Sequence, residues 1–336
     1  MAPWIWWLAV LYVALVPVGR SGLTRDQTRA RLIAQAYALV MALVVASTMA
    51  LMYAPHDRAQ PNRGGMFGAL PVVGLVERLR GPLEAPEMLG DAALAGFALA
   101  LGSLAETSGR KRWAWIGIAA LLAAGEALTF SHGMAGFAVA AALLLSINRA
   151  PKWLQRVAWT SALGVVLLVN AASIVAPDGS SPFSVRRVSL SVAGLSWSFP
   201  LNFYAALKQE AWMAFVEHPV LGVGPGGFRT VTEKAADEGR LTDFVRHHRP
   251  HCELTGRLAE TGILGGVSLL LLWASWVVGI QRAWSTARPI RTAAGAAVIG
   301  LLLNSLNADV MNFRFLWLAL ALAQAPDSPA KPESAG

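Results

Sequence analysis

The densest group of reactive side chains in this sequence is the segment 246–252, which reads Arg-His-His-Arg-Pro-His-Cys. Histidine suits proton transfer near neutral pH, because its unperturbed pKa is about 6.5, so an imidazole here is a candidate general base. A metal site is a second interpretation, since His247 and His251 are four residues apart, but Pro250 would interrupt a helix that presents both. A solvated basic loop that meets anionic lipid headgroups is the third. The residue types alone leave all three open.

A glycine-rich segment at 220–228 precedes these histidines and reads Val-Leu-Gly-Val-Gly-Pro-Gly-Gly-Phe. Upstream of it, apolar residues recur at helical spacing over 203–216, and Pro219 ends that predicted helix. A phosphate-binding glycine loop needs a strand before it and a helix after it, and neither is evident. The pattern therefore favours a tight turn packed close to a membrane over an anion cradle.

The composition shows what kind of molecule must position these residues. Of the 336 residues, 55% are hydrophobic and only 14% are charged, and the mean hydropathy is +0.49. Soluble domains carry about 25% charged residues, so this chain has too few to cover a water-exposed surface. The net charge of +8 comes from short basic clusters between apolar stretches, which is typical of membrane topology and gives no indication of nucleic-acid binding. The single cysteine, Cys252, cannot form an intrachain disulfide.

Apolar stretches long enough to cross a bilayer recur along the chain. We predict an all-α polytopic membrane protein with roughly nine transmembrane helices and one long, partly helical periplasmic loop. The first stretch lacks the basic start of a signal peptide and carries Trp4, Trp6 and Trp7, so it is expected to stay as a membrane helix. The predicted spans are 2–18, 32–54, 89–106, 113–130, 133–147, 157–176, 262–280, 293–306 and 310–323.

The basic clusters give these spans an orientation. Each cluster follows an odd-numbered span, so all of them lie on one side, which the positive-inside rule identifies as the cytoplasm. The N-terminus is then expected outside and the C-terminus inside. The clusters are Arg20 to Arg31, Arg110 to Arg112, Arg149 to Arg156, and Arg282 to Arg291.

Three segments then face the outside: the loop 55–88, the turn at Ser131 and His132, and the long loop 177–261. Within the first, 71–80 is predicted to form a short interfacial helix. The helices within residues 1–112, together with the loop 55–88, form one predicted unit, and residues 113–323 form a second. The tail 324–336 has the Pro, Ser, Lys and Glu content of a disordered end.

The spacing downstream of His251 is distinctive. Cys252 and nine further residues separate His251 from Gly262, and Gly265 follows where a membrane helix begins. This resembles the signature of the O-antigen ligase and O-antigen polymerase superfamily, in which His and an amide or hydroxyl residue precede a Gly-x-x-Gly helix start.

Three further segments carry the same resemblance, in the same order and topology. They correspond to the family's Pro-x-x-Gly-x-Gly segment, its Ser-Arg-Gly turn between two helices, and its closing helices. The likeness covers about two thirds of the chain, roughly 113–323. The three segments are 218–224, 129–133 and 304–318.

The resemblance implies a membrane glycosyltransferase of the bacterial inner membrane. Such an enzyme moves a glycan from an undecaprenyl diphosphate carrier to an acceptor hydroxyl at the periplasmic face, with inversion. The acceptor is lipid A–core in ligases and another carrier-linked glycan in polymerases. His251 is then the candidate base, and neither a cofactor nor a metal is expected. Glu260, Gly262 and Gly265 would support the site at the helix start.

The chain also departs from the family pattern. Cys252 replaces the residue after the His, and His132 replaces an arginine that the family uses against the diphosphate; neither side chain offers the same donors. The family's further arginine corresponds to a position near Tyr204. The cations that could substitute and bind diphosphate include Arg229, Arg246, Arg249, Arg257 and Arg314, besides Arg186 and Arg187.

Two alternatives remain beside this hypothesis. A flippase or transporter of lipid-linked glycans should carry several charged groups deep within its spans, and this sequence has few. Glu126 is one of them, and we expect it to pair with His132 or an arginine near the outer face. A catalytically inactive assembly protein of the same family is the other alternative, in which neither histidine would matter.

Overall fold

The computed structural model describes residues 27–53, 67–70, 74–79, 85–174, 187–192, 195–200, 202–284 and 288–324. Helices dominate these residues, as expected from the apolar stretches. The ten α-helices are α1 (Gln27–Tyr53), α2 (Pro86–Ala105), α3 (Lys111–Thr129), α4 (Met134–Ile147), α5 (Lys152–Ile174), α6 (Phe203–Glu217), α7 (Phe228–Asp237), α8 (Glu253–Trp284), α9 (Pro289–Asn304) and α10 (Arg314–Ala323).

Within the described residues, four helices are long and apolar enough to cross a membrane, which is consistent with a multi-pass membrane protein. They contain the segments Thr28–Met52, Pro86–Ala105, Lys152–Ala171 and Glu253–Arg282. Helices α4, α9 and α10 are apolar but have only 10–17 residues. The predicted span at 2–18 and the tail 325–336 lie outside the described residues. The predicted number of nine spans is therefore not confirmed.

Two short antiparallel hairpins interrupt the helices, so the all-α description holds only for the bundle. Strand β1 (Phe67–Leu70) pairs with β2 (Gly74–Glu77), and β3 (Arg187–Val192) pairs with β4 (Leu195–Pro200). The interfacial helix predicted at 71–80 is therefore wrong for the part that β2 occupies. Glycine at 74 and the β-branched Val76 both disfavour a helix there.

Helix α2 is the centre of the bundle. It packs against α1, α3 and α9, while α4 packs between α5 and α9. Alanine and glycine cover much of α2 and α9, and their small side chains let the backbones approach closely, as in other membrane bundles. Large buried side chains, among them Leu94, Leu99 and Leu301, fill the remaining space.

The helices alternate in direction, so the bundle has two chemically different ends. At one end, Gly102 near the end of α2 lies against Pro289 and Ile290 at the start of α9. The basic clusters at the starts of α3, α5 and α9 and at the end of α8 belong to this basic end. The opposite end, called the site end, comprises the start of α2, the turn 130–133, the start of α8 and the end of α9.

A small extra unit sits on the site end and consists of α6, α7 and the first turns of α8. It has its own apolar core, in which Leu207 of α6, Phe228 of α7 and Ala259 of α8 are buried. The helix predicted at 203–216 is confirmed by α6, and Asn202 caps it by accepting a hydrogen bond from the Tyr204 N–H at 3.2 Å.

The glycine-rich turn after α6 packs against a kink in α8 and is hydrogen-bonded to it. Gly262 has φ 62° and ψ −161°, a conformation that only glycine adopts readily, and it interrupts α8. The Ile263 N–H donates to the Pro219 carbonyl at 2.8 Å, and the Val223 N–H donates to the Ala259 carbonyl at 2.9 Å. A Cβ at Gly262 would overlap the Val220 carbonyl. The turn interpretation of this segment therefore agrees with the structure.

We expect Gly262→Ala to lower the free energy of unfolding by on the order of 3 kcal/mol, because it adds backbone strain to a steric overlap. Melting of the purified protein in detergent, followed by size-exclusion chromatography after heating, measures the effect. Gly164→Ala is the matched control, since a Cβ there meets no atom within 4 Å. Equal melting temperatures for the two variants would contradict the proposed packing of the turn on the kink.

Candidate functional site

A buried polar network holds the turn between α3 and α4 in place. The Asn304 side chain of α9 donates to Asp91 at 2.5 Å and to the Gly133 carbonyl at 3.1 Å. Its carbonyl oxygen accepts the Gly136 N–H at 2.7 Å. The Ser131 hydroxyl donates to Glu126 and accepts the Gly133 N–H. Four helices therefore fix the position of the residue that follows Ser131, which is His132.

Glu126 does not pair with His132 or an arginine among the described residues, so that expectation is wrong. One carboxylate oxygen accepts from Ser131 at 3.4 Å, and the other is buried without a hydrogen-bond partner. Glu126 and Asp91 instead both lie against Gly133, where a Cβ would come within about 3 Å of either carboxylate. Glu126 is therefore part of the network that holds the turn.

Tyr204 of α6 brings the two histidines singled out in the sequence together. Its ring lies edge-on to His132 with 5.2 Å between centroids, and edge-on to His251 with 5.0 Å between centroids. His132 and His251 come from segments 119 residues apart, since 251 − 132 = 119. Burial raises the pKa of the Tyr204 phenol, which therefore stays protonated at neutral pH.

His251 sits in a strained and half-buried position immediately before α8. Its φ of 50° is in the left-handed region, which non-glycine residues adopt rarely and often at functional sites. Burial lowers the pKa of His251 to about 4, and the Glu87 carboxylate opposes that effect in part. Its imidazole is therefore neutral at pH 7 and has a free lone pair, as a general base requires.

His132 is neutral for the same reason. Burial lowers its pKa to about 4, and the nearby cations Lys208 and Arg78 add to the effect. Its Nδ1 is buried and makes no hydrogen bond to any described residue. A neutral imidazole can offer one donor to an anion, but it brings no charge, so His132 alone does not replace an arginine.

Lys208 brings a positive charge close to both histidines. It lies one turn after Tyr204 on α6, and its ammonium group donates to Asn307 at 2.7 Å. Asn307 in turn donates to Asn170 of α5 at 3.3 Å. No carboxylate among the described residues pairs with Lys208, and burial lowers its pKa. An ammonium group that forms no ion pair with a carboxylate among the described residues favours an anion beside the histidines.

A cavity of about 280 Å³ opens next to His248, on the other side of the histidine segment. The His248 ring lies 6.2 Å from the His251 ring, centroid to centroid, so one residue separates the cavity from the candidate base, which does not itself line it. Its lining carries three arginines and three acidic residues, besides two histidines. The charged and histidine residues that line it are Arg229, His247, His248, Arg249, Glu253, Arg257, Glu260 and Asp309.

The candidate arginines differ in how far acidic neighbours neutralise them. Arg257 donates to Glu253 through both Nε and Nη2, at 2.9 and 2.8 Å, and Glu253 is buried. Arg229 pairs with Glu233 at 3.0 Å. Arg246 pairs with two aspartates and does not line the cavity. These three arginines therefore already have counter-charges.

Arg249 and Arg314 lack such partners among the described residues. Arg249 lines the cavity, and its charge acts on both His251 and Asp309. Arg314 is exposed at the start of α10 and does not line the cavity. Of the arginines predicted from the sequence, Arg249 is therefore the one that lines the cavity without a close ion pair to a described carboxylate, although Asp309 in the same lining is near enough to feel its charge.

The glycine positions have a structural role. Gly262 forms the α8 kink, Gly265 lies one turn later where it leaves room for the Thr261 side chain, and Glu260 lines the cavity. The helix α7 follows the glycine-rich turn, contrary to the expectation that no helix would do so. Its start adjoins the cavity, since Gly226 and Phe228 are among the lining residues.

Sequence reasoning missed Tyr204 as a contact, and it missed Lys208, Asn307 and Arg78 as polar neighbours. Arg78 donates to the Thr129 carbonyl at 2.7 Å and pairs with Glu87 at 3.0 Å. The signal for Lys208 was present, because Tyr204 and Lys208 are four apart and border the apolar stripe of α6. Among the described residues, no group of three or more metal-binding side chains was found.

No protein-family model matches this chain, and a search of curated proteins finds no match either.

Proposed function

We propose that this protein is a membrane glycosyltransferase that moves a glycan from an undecaprenyl diphosphate carrier to an acceptor hydroxyl. The observation that supports this best is the joint placement of a neutral, half-buried His251 with two cations, Lys208 and Arg249, that form no ion pair with a carboxylate among the described residues. A base next to an anion site is what this reaction needs. The motif resemblance around His251 supplies the substrate class.

The proposed reaction is a direct displacement at the anomeric carbon. The acceptor oxygen attacks, its proton passes to the neutral imidazole of His251, and the bond from the sugar to the diphosphate oxygen breaks with inversion. The leaving diphosphate carries away the electron pair of that bond. A positioned base contributes typically about 10²–10⁴ in rate. Cations and oriented N–H groups that meet the leaving charge contribute further.

Binding of the anionic donor also raises the pKa of the base, His251. The pKa of about 4 for His251 applies to the free site, where burial is the main cause and the charges of Lys208 and Arg249 lower the pKa further. A diphosphate placed against these cations cancels part of their field and raises the pKa of His251 toward neutrality. The imidazole then becomes a better proton acceptor at the moment when the donor is in place. No metal ion or cofactor takes part in this proposal.

The proposal includes a membrane setting. We infer nine spans with the site end at the periplasmic face of the bacterial inner membrane, a periplasmic N-terminus and a cytoplasmic C-terminus. The supporting observation is that the basic clusters lie at the opposite end of the bundle from His251. A carrier lipid in the bilayer would then reach the site from the outer leaflet.

The glycan profile of a strain that lacks this protein tests the proposal and identifies the acceptor. Uncapped lipid A–core with accumulated long carrier-linked chains indicates a ligase, whereas single repeat units indicate a polymerase. An unchanged profile of surface and carrier-linked glycans would contradict both. Complementation with the wild-type chain is the control.

One observation favours a second candidate, a flippase of lipid-linked glycans. Asp91 and Glu126 are both buried in the bundle and lie on either side of Gly133, and Glu126 has an unpaired carboxylate oxygen. Buried acidic groups of this kind occur in transport pathways. The flippase predicts that Glu126→Gln stops glycan export while His251→Ala does not, which is the reverse of the transferase.

A further inference from the structure

The outer face of α6 carries a strip of large apolar side chains that the described part of the protein leaves exposed. Trp212 is 52% exposed and Leu221, in the turn after the helix, is 70% exposed. Met213 and Val216 on α6 and Val220 in the turn are exposed as well. We call these five residues the α6 strip. Such a contiguous apolar surface is unusual on a protein face that meets water.

The neighbouring helix of the same unit shows that this exposure is particular to the strip. Helix α7 buries Phe228 and Ala235 and turns charged residues to the solvent. Its exposed side chains include Arg229 and Lys234. One helix of this small unit therefore has a surface suited to water, and the other has a surface suited to an apolar environment.

The strip continues into the exposed apolar face of a candidate membrane span. The turn that carries Val220 and Leu221 is hydrogen-bonded to the kink of α8, through Pro219 and Ile263, at 2.8 Å. From there α8 presents an uncovered apolar face along its length, and α8 meets the length and hydropathy of a bilayer-spanning helix. Its exposed residues are Ile263, Leu264, Val267, Leu270 and Leu271.

We propose that the α6 strip inserts into the membrane leaflet at the site end, so that acyl chains cover it together with the upper part of α8. The continuity with α8 identifies lipid as the occupant, because the face of a spanning helix that the protein leaves open meets acyl chains. Trp212 suits the boundary between acyl chains and headgroups, where tryptophan is enriched. Gln209 and Glu217, exposed beside the strip, provide its polar edge.

This placement has a consequence for the residues of α6 that border the strip. Tyr204 and Lys208 are on α6 and face the histidines, so insertion of the strip holds these groups at the level of the lipid headgroups. A phosphate carried by a lipid could then reach Lys208 without leaving the leaflet. The inference itself needs only a membrane-spanning α8 and does not rest on the proposed function.

The test places a spin label at Leu221→Cys in the full-length protein, reconstituted in lipid vesicles. Collision with oxygen, which concentrates in acyl chains, is compared with collision with a water-soluble nickel chelate. Leu271→Cys on α8 is the membrane control, and Lys234→Cys on α7 is the aqueous control. The native Cys252 is only 5% exposed, and labelling of the unmutated protein measures its contribution.

We expect the label at 221 to resemble the label at 271, with an oxygen-to-nickel accessibility ratio several-fold above that at 234. A label at 221 that resembles 234 would overturn the inference. A label that is shielded from both reagents would overturn it as well, because it would show that protein covers the strip. If Leu221→Cys does not fold, Val216→Cys, which labels another residue of the α6 strip, repeats the measurement.

Discussion

Replacement of His251 by alanine is expected to lower the rate of glycan transfer by about 10²–10⁴, the usual contribution of a positioned general base. Its neutral, half-buried imidazole is the proton acceptor in the proposed displacement. A strain that carries only this variant is expected to lose its surface glycan. The measurement is the glycan profile, together with a blot that shows normal membrane insertion.

His218→Ala is the matched control for this variant. His218 follows α6 and is exposed, and it does not line the cavity. It should retain surface glycan at the wild-type level. If the two variants gave the same profile, His251 would not be the base, and the histidine segment would have to act through its overall shape.

Replacement of Lys208 by methionine is expected to reduce transfer by about 10²-fold, the lower end of what one donor to a developing anion contributes. Methionine keeps most of the length and apolar volume of the lysine stem, so the α6 packing should survive. Lys208→Arg should restore part of the activity because it restores the charge. Lys234→Met on the exposed face of α7 is the control and should be neutral.

The same variant should change how activity depends on pH. Lys208 helps to hold the pKa of His251 at about 4, so its loss raises that pKa. His251 then becomes protonated, and inactive as a base, at a higher pH than in the wild-type protein. The acid limb of the kcat/KM profile therefore moves upward in Lys208→Met. An unmoved limb with a lower plateau would show that Lys208 binds the donor without acting on His251.

The sequence predicted the helices well and the partners of its charged groups poorly. Eight predicted spans coincide with described helices because apolar runs between basic clusters are a strong signal. The meeting of His132 with His251 was implied by the alternating directions of the helices. The sequence did not show that Tyr204 lies between the two rings. Its contact with both depends on how α6 is rotated against the bundle.

The arginines show what sequence spacing can and cannot reveal. The pairing of Glu253 with Arg257 follows from their four-residue spacing on one helix, and it removes Arg257 from the set of unpaired cations. Arg249 instead shares the cavity lining with Asp309, which is 60 residues away in the chain (309 − 249 = 60), so its electrostatic neighbour could not be read from local spacing. The burial of Lys208 beside Asn307 joins residues 99 apart in the chain, so no local pattern could show it.

The central claim is a transfer reaction that uses His251 at a cationic site. The most direct measurement is the release of undecaprenyl diphosphate when the purified protein in lipid vesicles is mixed with carrier-linked glycan and an acceptor, with a metal chelator present. The account predicts release together with glycosylated acceptor from the wild-type protein, and neither product from His251→Ala. Equal release from both proteins, or none from the wild type with either class of acceptor, would contradict it.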